Sequence, residues 1–449
     1  MDIFKRFGTK QHRIRDPIYG FIELNDSELK IIDTPIFQRL RRVHQLALTK
    51  YVYPTAEHSR FTHSLGVLQV ASEIFSNIYK NSDRALLTKK SGDIQEDIAQ
   101  KLQILRFAAL LHDIGHLPFS HAAEKLILDN KATHEELGQF IIKNYPPIKE
   151  AIGERGINPD IVAMLLSDKP LSEYFILKNI VSGQLDADRA DYLLRDSYVC
   201  GVKYGEYDYN RYIQSFFLKE TNGGLAQLCV EEKNIYLVES FLMARYHYNL
   251  QVPYHRTRTG YDIILKKYIE HLKQNNKFPD FIQFNDNDSI KALDFDIFET
   301  FDDYSIFEMI KGDYKNGNTW ATMLMRQGHL VPVFDHIKKT DGDNTNQYKH
   351  MLFELKKHLV ENEDFFRYEH EIKVSKLLQK ADGPSYQNPL GLIVKDKSEP
   401  ENMLEYSYIL NQLVKPVEIF RIYTLKQHEE KALEMNKEAF DYAKRLENV

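Results

Sequence analysis

The apolar run Phe107-Ala-Ala-Leu-Leu111 ends directly on His112-Asp113, and this join constrains the chain more than any other feature. Residues 98–111 carry a helical pattern that becomes almost wholly apolar at its end, so that end must be buried. An imidazole and a carboxylate are thereby delivered side by side at the edge of a core. Gly115 and Pro118 interrupt the helix just beyond them. Both groups coordinate divalent cations. The dipeptide alone says little, but its setting says more. His112, His116 and His121 crowd into HDIGHLPFSH around Gly and Pro, which suits a site rather than a core. Of 17 histidines, six (His58, His63, His112, His116, His121 and His134) lie between positions 58 and 134.

Helical periodicity dominates up to about residue 275. Ile36–Leu46 is amphipathic, with Asp33 as its expected N-cap and Pro35 at an early helical position. Phe61–Tyr79 repeats Leu65, Leu68, Ala71, Ile74, Phe75 and Ile78 on one stripe, and the charged stretch 80–96 follows as an exposed loop. Further helices are expected at 120–129, 134–143, 172–182, 186–197, 238–250 and 261–273. Residues 216–238 differ: alternating apolar positions around Asn222-Gly-Gly224 predict a small antiparallel hairpin, with Ile235 and Leu237 in its second strand. Beyond 275 the pattern weakens into polar loops (274–289, 339–348, 380–400), helices (304–311, 317–326, 348–360, 427–446) and a strand at Val417–Thr424. The expected fold is mainly α, with a small hairpin and an α+β C-terminal region. Residues 1–275 are expected to form the catalytic core, and residues 276–449 a mostly helical region packed on it and involved in oligomerisation.

Composition removes whole classes. At 43% hydrophobic residues the chain is no disordered polymer, and 20 Gly with 15 Pro exclude collagen-like designs. No apolar run approaches the roughly 18–20 residues needed to cross a bilayer. The net charge of -6 gives no support for bulk binding to nucleic acid or anionic membrane. Two cysteines and no apolar leader at the N-terminus read as a reduced, cytoplasmic protein.

Two protein ligands rarely suffice for a metal. His63, in RFTHS at the start of the second helix, and Asp188, in DADRADYLLRD, complete a mixed nitrogen and oxygen set with His112 and Asp113. Such a set leaves positions open for water and a phosphate oxygen, as metal-assisted hydrolysis requires. It tolerates Mn, Fe, Mg, Ni or Zn. Asp188, Tyr192 and Asp196 (or Arg195) recur on one helical face.

The joint pattern of Asp16–Leu24 (DPIYGFIEL), Ile32–Arg41 (IDTPIFQRLR), Gln45-Leu46, Ser59–Gly66 (SRFTHSLG), Leu111–His121, His134-Glu135 and Asp186–Asp196 resembles the HD-domain phosphohydrolases, in particular their deoxynucleoside triphosphate triphosphohydrolase branch. The resemblance covers about residues 12–260. It implies one divalent metal per active site, held by His63, His112, Asp113 and Asp188. It implies phosphate binding by Arg60, Arg189 and Arg245, with arginine at 189 where relatives carry lysine. Gln45 and Leu46 would meet the sugar, with Gln45 near the 3′-hydroxyl. Tyr192 would pack on the deoxyribose and leave little room for a 2′-hydroxyl, and Asp196 would contact the sugar. His116, His121 and His134 resemble the catalytic histidines, with Glu135 orienting one of them. His116 or His134 would protonate the leaving 5′-oxygen. One departure stands out: Pro253 replaces the family's pocket tyrosine in VPYH, and Tyr254 is shifted by one.

The resemblance also implies a regulatory guanine-nucleotide site from Asp33, Gln38 and Arg41, with GTP or dGTP favouring an active homotetramer. The expected activity is hydrolysis of a dNTP to deoxynucleoside and inorganic triphosphate. The alternatives are another HD-type nucleotide phosphohydrolase or phosphodiesterase, and a nucleotide- or nucleic-acid-binding protein with weak catalysis.

Overall fold

The structure is a computed structural model. It describes residues 12–88, 94–167, 172–222, 224, 226–326, 328–338, 365–375, 390–434, 437, 438 and 441. The chain is mainly α, as its periodicity predicts. Its centre is built from α1 (Arg60–Asn81) and α2 (Ile94–Leu111), which pack along each other; α4 (Ala187–Cys200) packs on α1, and α3 (His134–Asn144) begins against the loop beyond α2, where Gly115 closely approaches the His134 carbonyl. Phe107, Ala108, Ala109, Leu110 and Leu111 are all completely buried, as the apolar end of α2 requires. Each large side chain of that run stabilises the fold by about 1.5–3 kcal/mol. The ends are set locally. Thr133 caps α3 in a capping box with Glu136, so His134 begins the helix. Asp186 caps α4 by accepting from the Arg189 amide, which places Asp188 and Arg189 in its first turn.

Small sheets decorate this core. An N-terminal hairpin, β1 (His12–Asp16) with β2 (Gly20–Leu24), pairs His12 with Leu24 and Asp16 with Gly20. It is a feature that local alternation did not announce. The expected second hairpin is β3 (Phe217–Glu220) with β4 (Ala226–Glu231). It ends earlier than expected, because Ile235 and Leu237 belong to the next helix, α5 (Ile235–Gln251). Helix α6 (Arg256–Gln274) follows, and then β5 (Ile282–Phe284) pairs with β6 (Ile290–Leu293). Strand β7 (Val331–Lys338) and strand β8 (Phe365–Ile372) flank β10 (Val417–Thr424), the strand read from its alternation, while β9 (Gly391–Ile393) adds to β4 in parallel. The C-terminal residues thus complete a sheet begun at residue 217. The helix expected at 348–360 and the loop at 339–348 lie outside the described residues, as do residues 380–389 of the loop expected at 380–400 and the end of the helix expected at 427–446. No helix among the described residues is long and apolar enough to cross a membrane.

One helix expectation is corrected. Ile36–Leu46 is not a continuous helix: Pro35–Gln38 is α, Arg39–Arg42 tightens to 3-10, and Val43 is extended. The N-cap is Thr34, whose hydroxyl accepts from the Phe37 amide, whereas Asp33 is the C-cap of the preceding helix Asp26–Ile32. Distant partners account for the tightening. Buried Arg39 reaches the carbonyls of Phe301, Ile114 and His116 at 3.1, 3.2 and 2.6 Å, and Arg42 reaches Asp302 and the carbonyl of Glu299. Such bonds outweigh the few tenths of a kcal/mol by which helix propensities differ.

Candidate active site

The first turn of α1, the end of α2 and the first turn of α4 bring the expected ligands together. His63, His112 and Asp188 present ligand atoms within 4.8 Å of one another. The Nε2 atoms of His63 and His112 face each other at 3.3 Å, and Asp188 Oδ1 stands 3.1 Å from His63 Nε2. Asp113 borders the group, 3.3 Å from His112 Nε2 through Oδ1 and 3.8 Å from His63 Nε2 through Oδ2. The far ring nitrogens are held. His63 Nδ1 donates to Asp191 at 2.8 Å, and His112 Nδ1 donates to the Ala109 carbonyl at 2.8 Å. Both acceptors lack a proton to give, so both Nδ1 atoms carry the hydrogen and both Nε2 lone pairs can converge on a cation. The donor set therefore fits a divalent metal. Burial works against charge on His63, yet its bonds to Asp188 and Asp191 raise its pKa to about 10. The carboxylates demand positive charge here, which a proton supplies and a divalent cation replaces.

Asp191 is a functional residue that the sequence reading quoted within DADRADYLLRD but left without a role. Its carboxylate is clamped by Arg195 at 2.9 Å through both oxygens, and Arg195 also holds Asp16 of the first hairpin at 2.7 Å. Gly66 makes the contact possible: a Cβ there would lie 1.9 Å from Asp191 Oδ1. Gly66→Ala is expected to cost about 1–3 kcal/mol through overpacking. By displacing Asp191 from His63, it should also weaken metal binding by about 10–100-fold. Thermal melts and metal titration check both, and unchanged metal affinity would remove Asp191 from this role.

A second cluster adjoins the first. His116, His121, Glu124 and His134 lie within 4.8 Å of one another. His116 stacks on His134 at 3.7 Å between ring centroids, and His116 Nε2 is 3.3 Å from Asp113 Oδ1, so Asp113 joins the two clusters. The carboxylate bound to His134 Nδ1 is Glu124, at 2.9 Å, and not Glu135, whose Oε1 lies 3.3 Å from Nε2 at the exposed side. Glu124 stands ten positions before His134, outside the spacing of a single helix face, so local periodicity does not pair them. Burial lowers the pKa of His134, but the bond and charge of Glu124 more than reverse this and raise it. Burial, Arg60 and His134 push His116 well below its ordinary value, so it stays neutral. His121 is exposed.

The remaining expected residues are placed as follows. Arg60 donates to Asp113 at 2.5 Å and to Ser120 Oγ at 2.7 Å. Arg189 folds onto its own cap, Asp186, and onto the Gly183 carbonyl. Arg245 is buried, gives one bond to the Lys373 carbonyl at 3.2 Å, and leaves Nε and Nη1 without a partner among the described residues. Gln45 Oε1 is likewise buried and unpartnered, beside buried Leu46. Half-buried Tyr192 leans on Tyr248 at 5.5 Å. Asp196 is engaged elsewhere: His58 meets Oδ1 at 2.7 Å and Tyr248 donates to Oδ2. His58 thereby finds a partner that its sequence context did not disclose. Asp33 and Arg41 are exposed, Gln38 is half-buried, and Arg41 bonds to Gln38 at 2.8 Å while covering Phe61. Tyr254 bonds to His370 at 2.6 Å, next to Pro253.

Residues 60–195 match the family model of the HD domain. The chain is 32% identical over 271 residues to the uncharacterized protein YwfO of Bacillus subtilis, covering 59% of this chain and 57% of that protein. It is 32% identical over 252 residues to the deoxynucleoside triphosphate triphosphohydrolase SAMHD1 of Homo sapiens, covering 49% of this chain and 38% of that protein. The chain spans about half the length or less of these curated relatives. A hypothetical protein of Aquifex aeolicus shares the fold at a TM-score of 0.72 and 25% identity, over 95% of this chain and 100% of that one. The matched stretch spans the ligand-bearing helices α1, α2 and α4, and the Aquifex likeness carries the architecture through the sheets beyond residue 275.

Proposed function

We propose that the chain is a metal-dependent hydrolase of deoxynucleoside triphosphates, releasing deoxynucleoside and inorganic triphosphate. The observation that carries this reading is the junction at Asp113, where a convergent His/Asp cation cluster meets the stacked His116–His134 pair with its buried carboxylate, Glu124. A divalent cation held by His63, His112, Asp113 and Asp188 supplies Lewis acidity toward a phosphate oxygen. The chain's own residues do the rest. His134, kept protonated by Glu124, gives its proton to the leaving 5′-oxygen, and neutral His116 and exposed His121 complete the wall around the reacting phosphate. Glu135 supports His134 from the exposed side. Arg245, with two guanidinium nitrogens uncommitted, meets a triphosphate oxygen together with Arg60 and Arg189. Gln45 accepts from the 3′-hydroxyl through its free carbonyl, Leu46 lines the sugar, and Asp196 shapes the pocket through Tyr248.

The nucleotide class is supported by the dNTP triphosphohydrolase among the relatives. We further take residues 1–275 as the catalytic unit and residues 276–449 as the region that packs on it and carries subunit contacts in a homotetramer. GTP or dGTP, bound by Asp33, Gln38 and Arg41, favours the active assembly, and the protein works in the cytoplasm. The deciding experiment is a product assay over the four dNTPs, with and without GTP or dGTP, across Mn, Fe, Mg, Ni and Zn. Triphosphate is the expected product; phosphate or pyrophosphate alone would point to a different HD reaction. Tyr192→Ala is expected to relax the preference for dNTP over NTP about 10-fold or more, the ~1–3 kcal/mol typical of a steric pocket contact. Unchanged relative kcat/KM values would count against Tyr192 as the ribose gate.

A further inference from the structure

We propose that Asp303 is a positioning residue that holds two walls of the active site in register from outside the HD domain. Asp303 is completely buried. Its Oδ1 accepts from the Phe119 amide at 2.8 Å. Its Oδ2 accepts from the His44 amide at 3.0 Å and from His44 Nδ1 at 2.6 Å. One carboxylate thus grips the HDIGHLPFSH loop and the residue beside Gln45.

The loop needs the grip. Phe119 and Ser120 have φ of 58° and 51°, left-handed values that residues with a Cβ disfavour. Consecutive residues there persist where surrounding bonds over-determine them. Asp303 bonds to the first, while Ser120 Oγ donates to the His44 carbonyl at 3.3 Å and accepts from Arg60 Nε at 2.7 Å. Arg60 in turn holds Asp113, the residue that joins the cation cluster to the histidine pair. The neighbouring residues act in the same sense. Phe307, one turn along the helix Asp303–Lys315, packs on Phe119 at 5.4 Å, and the Phe301 carbonyl receives Arg39, whose other bonds hold the carbonyls of Ile114 and His116. The corner 301–303 is therefore the backing plate of the catalytic loop. An error of about 1 Å in such a plate costs on the order of 10²-fold in rate.

The two oxygens make separable predictions. In Asp303→Asn the carboxamide oxygen still accepts from Phe119, but its NH₂ faces the His44 amide, donor against donor. Asp303→Ala releases both walls. Wild type and both variants are compared by amide hydrogen exchange over 42–46 and 114–122, by Mn²⁺ titration calorimetry, and by kcat and KM for a dNTP. Asp303→Ala is expected to speed exchange at His44 and Phe119 by at least about 10-fold and to lower kcat about 10²-fold. Mn²⁺ affinity should stay within about twofold, because His63 and His112 are held by Asp191 and the Ala109 carbonyl, and Asp113 keeps its own bond to Arg60. Asp303→Asn should keep Phe119 protected and recover most of kcat, while His44 exchanges faster and KM rises several-fold. The isosteric variant carries the test if the alanine variant fails to fold. Unchanged exchange at both amides, or Mn²⁺ affinity falling in step with kcat, or an asparagine variant no better than alanine, overturns the proposal. The kinetic arm rests on the hydrolase reading above. If wild type turns over no dNTP, that reading falls, and the exchange arm alone still decides the role of Asp303.

Discussion

Replacing Asp188 by alanine is expected to remove the divalent metal and to lower turnover by about 10³-fold or more, the several kcal/mol that Lewis-acid stabilisation supplies. The fold should survive. Asp188 is half-buried in the first turn of α4, and the cap of that helix is its neighbour Asp186. Its Oδ1 lies 3.1 Å from His63 Nε2 and 3.9 Å from His112 Nε2, so the substitution empties a ligand position without opening the core. Asp113→Ala should lose the metal as well, but at greater structural cost. It strips buried Arg60 of a carboxylate at 2.5 Å, and breaking a buried ion pair from one side costs about 3–5 kcal/mol. The pair of variants therefore separates metal loss from destabilisation. Elemental analysis, turnover and thermal melting measure the three quantities. Wild-type turnover by metal-free Asp188→Ala would remove the assignment of the cluster.

His134→Gln is expected to lower kcat by about 10²–10⁴-fold, the range for a lost general acid. Its pH dependence is the sharper test. Burial lowers the pKa of His134 and Glu124 raises it further than burial lowers it, so the net shift is upward. The acid form is present below the raised pKa and is lost as pH rises through it, so kcat must fall on the alkaline side. Glu124→Gln removes the charge that raises the pKa and leaves only a weaker, neutral acceptor. The falling limb then moves to lower pH, and activity at neutral pH drops. Glu135→Gln should move the limb less, because that carboxylate is exposed and 3.3 Å from the other ring nitrogen. A limb that stays in place in Glu124→Gln would assign the proton to a different group.

Most of the helices were legible because they obey a local rule. Apolar spacing announced 60–81, 94–111, 134–144, 187–200 and 256–274 to within a few residues, and alternation announced Val417–Thr424. The errors fall where local rules compete with remote bonds. Ile36–Leu46 has helical spacing, but Arg39 and Arg42 are drawn toward partners at 114–116 and 299–302, and the segment tightens and then extends. The β1–β2 hairpin turns through Asp16, whose carboxylate accepts from the Ile18 and Tyr19 amides, a turn signal with too short a flank to stand out. Asp33 had the right chemistry for a cap, and Thr34, one residue later, took the place.

The same division runs through the site. His112-Asp113 at the end of a buried helix, and Asp188 in the first turn of another, were readable as candidate cation ligands because their chemistry and their helical positions are both local properties. Their orienting partners were not. Asp191 meets His63 across 128 positions, Glu124 rather than Glu135 binds His134 Nδ1, and Asp303 grips Phe119 across 184 positions. Periodicity reports which face of an element is buried, and composition reports which groups can do chemistry. Neither carries the distance between side chains far apart in the chain, which is settled when helices pack and each buried polar atom must find its partner. By itself the sequence determined which residues could bring cation ligands and proton carriers. Tertiary packing decided which carboxylate holds which imidazole.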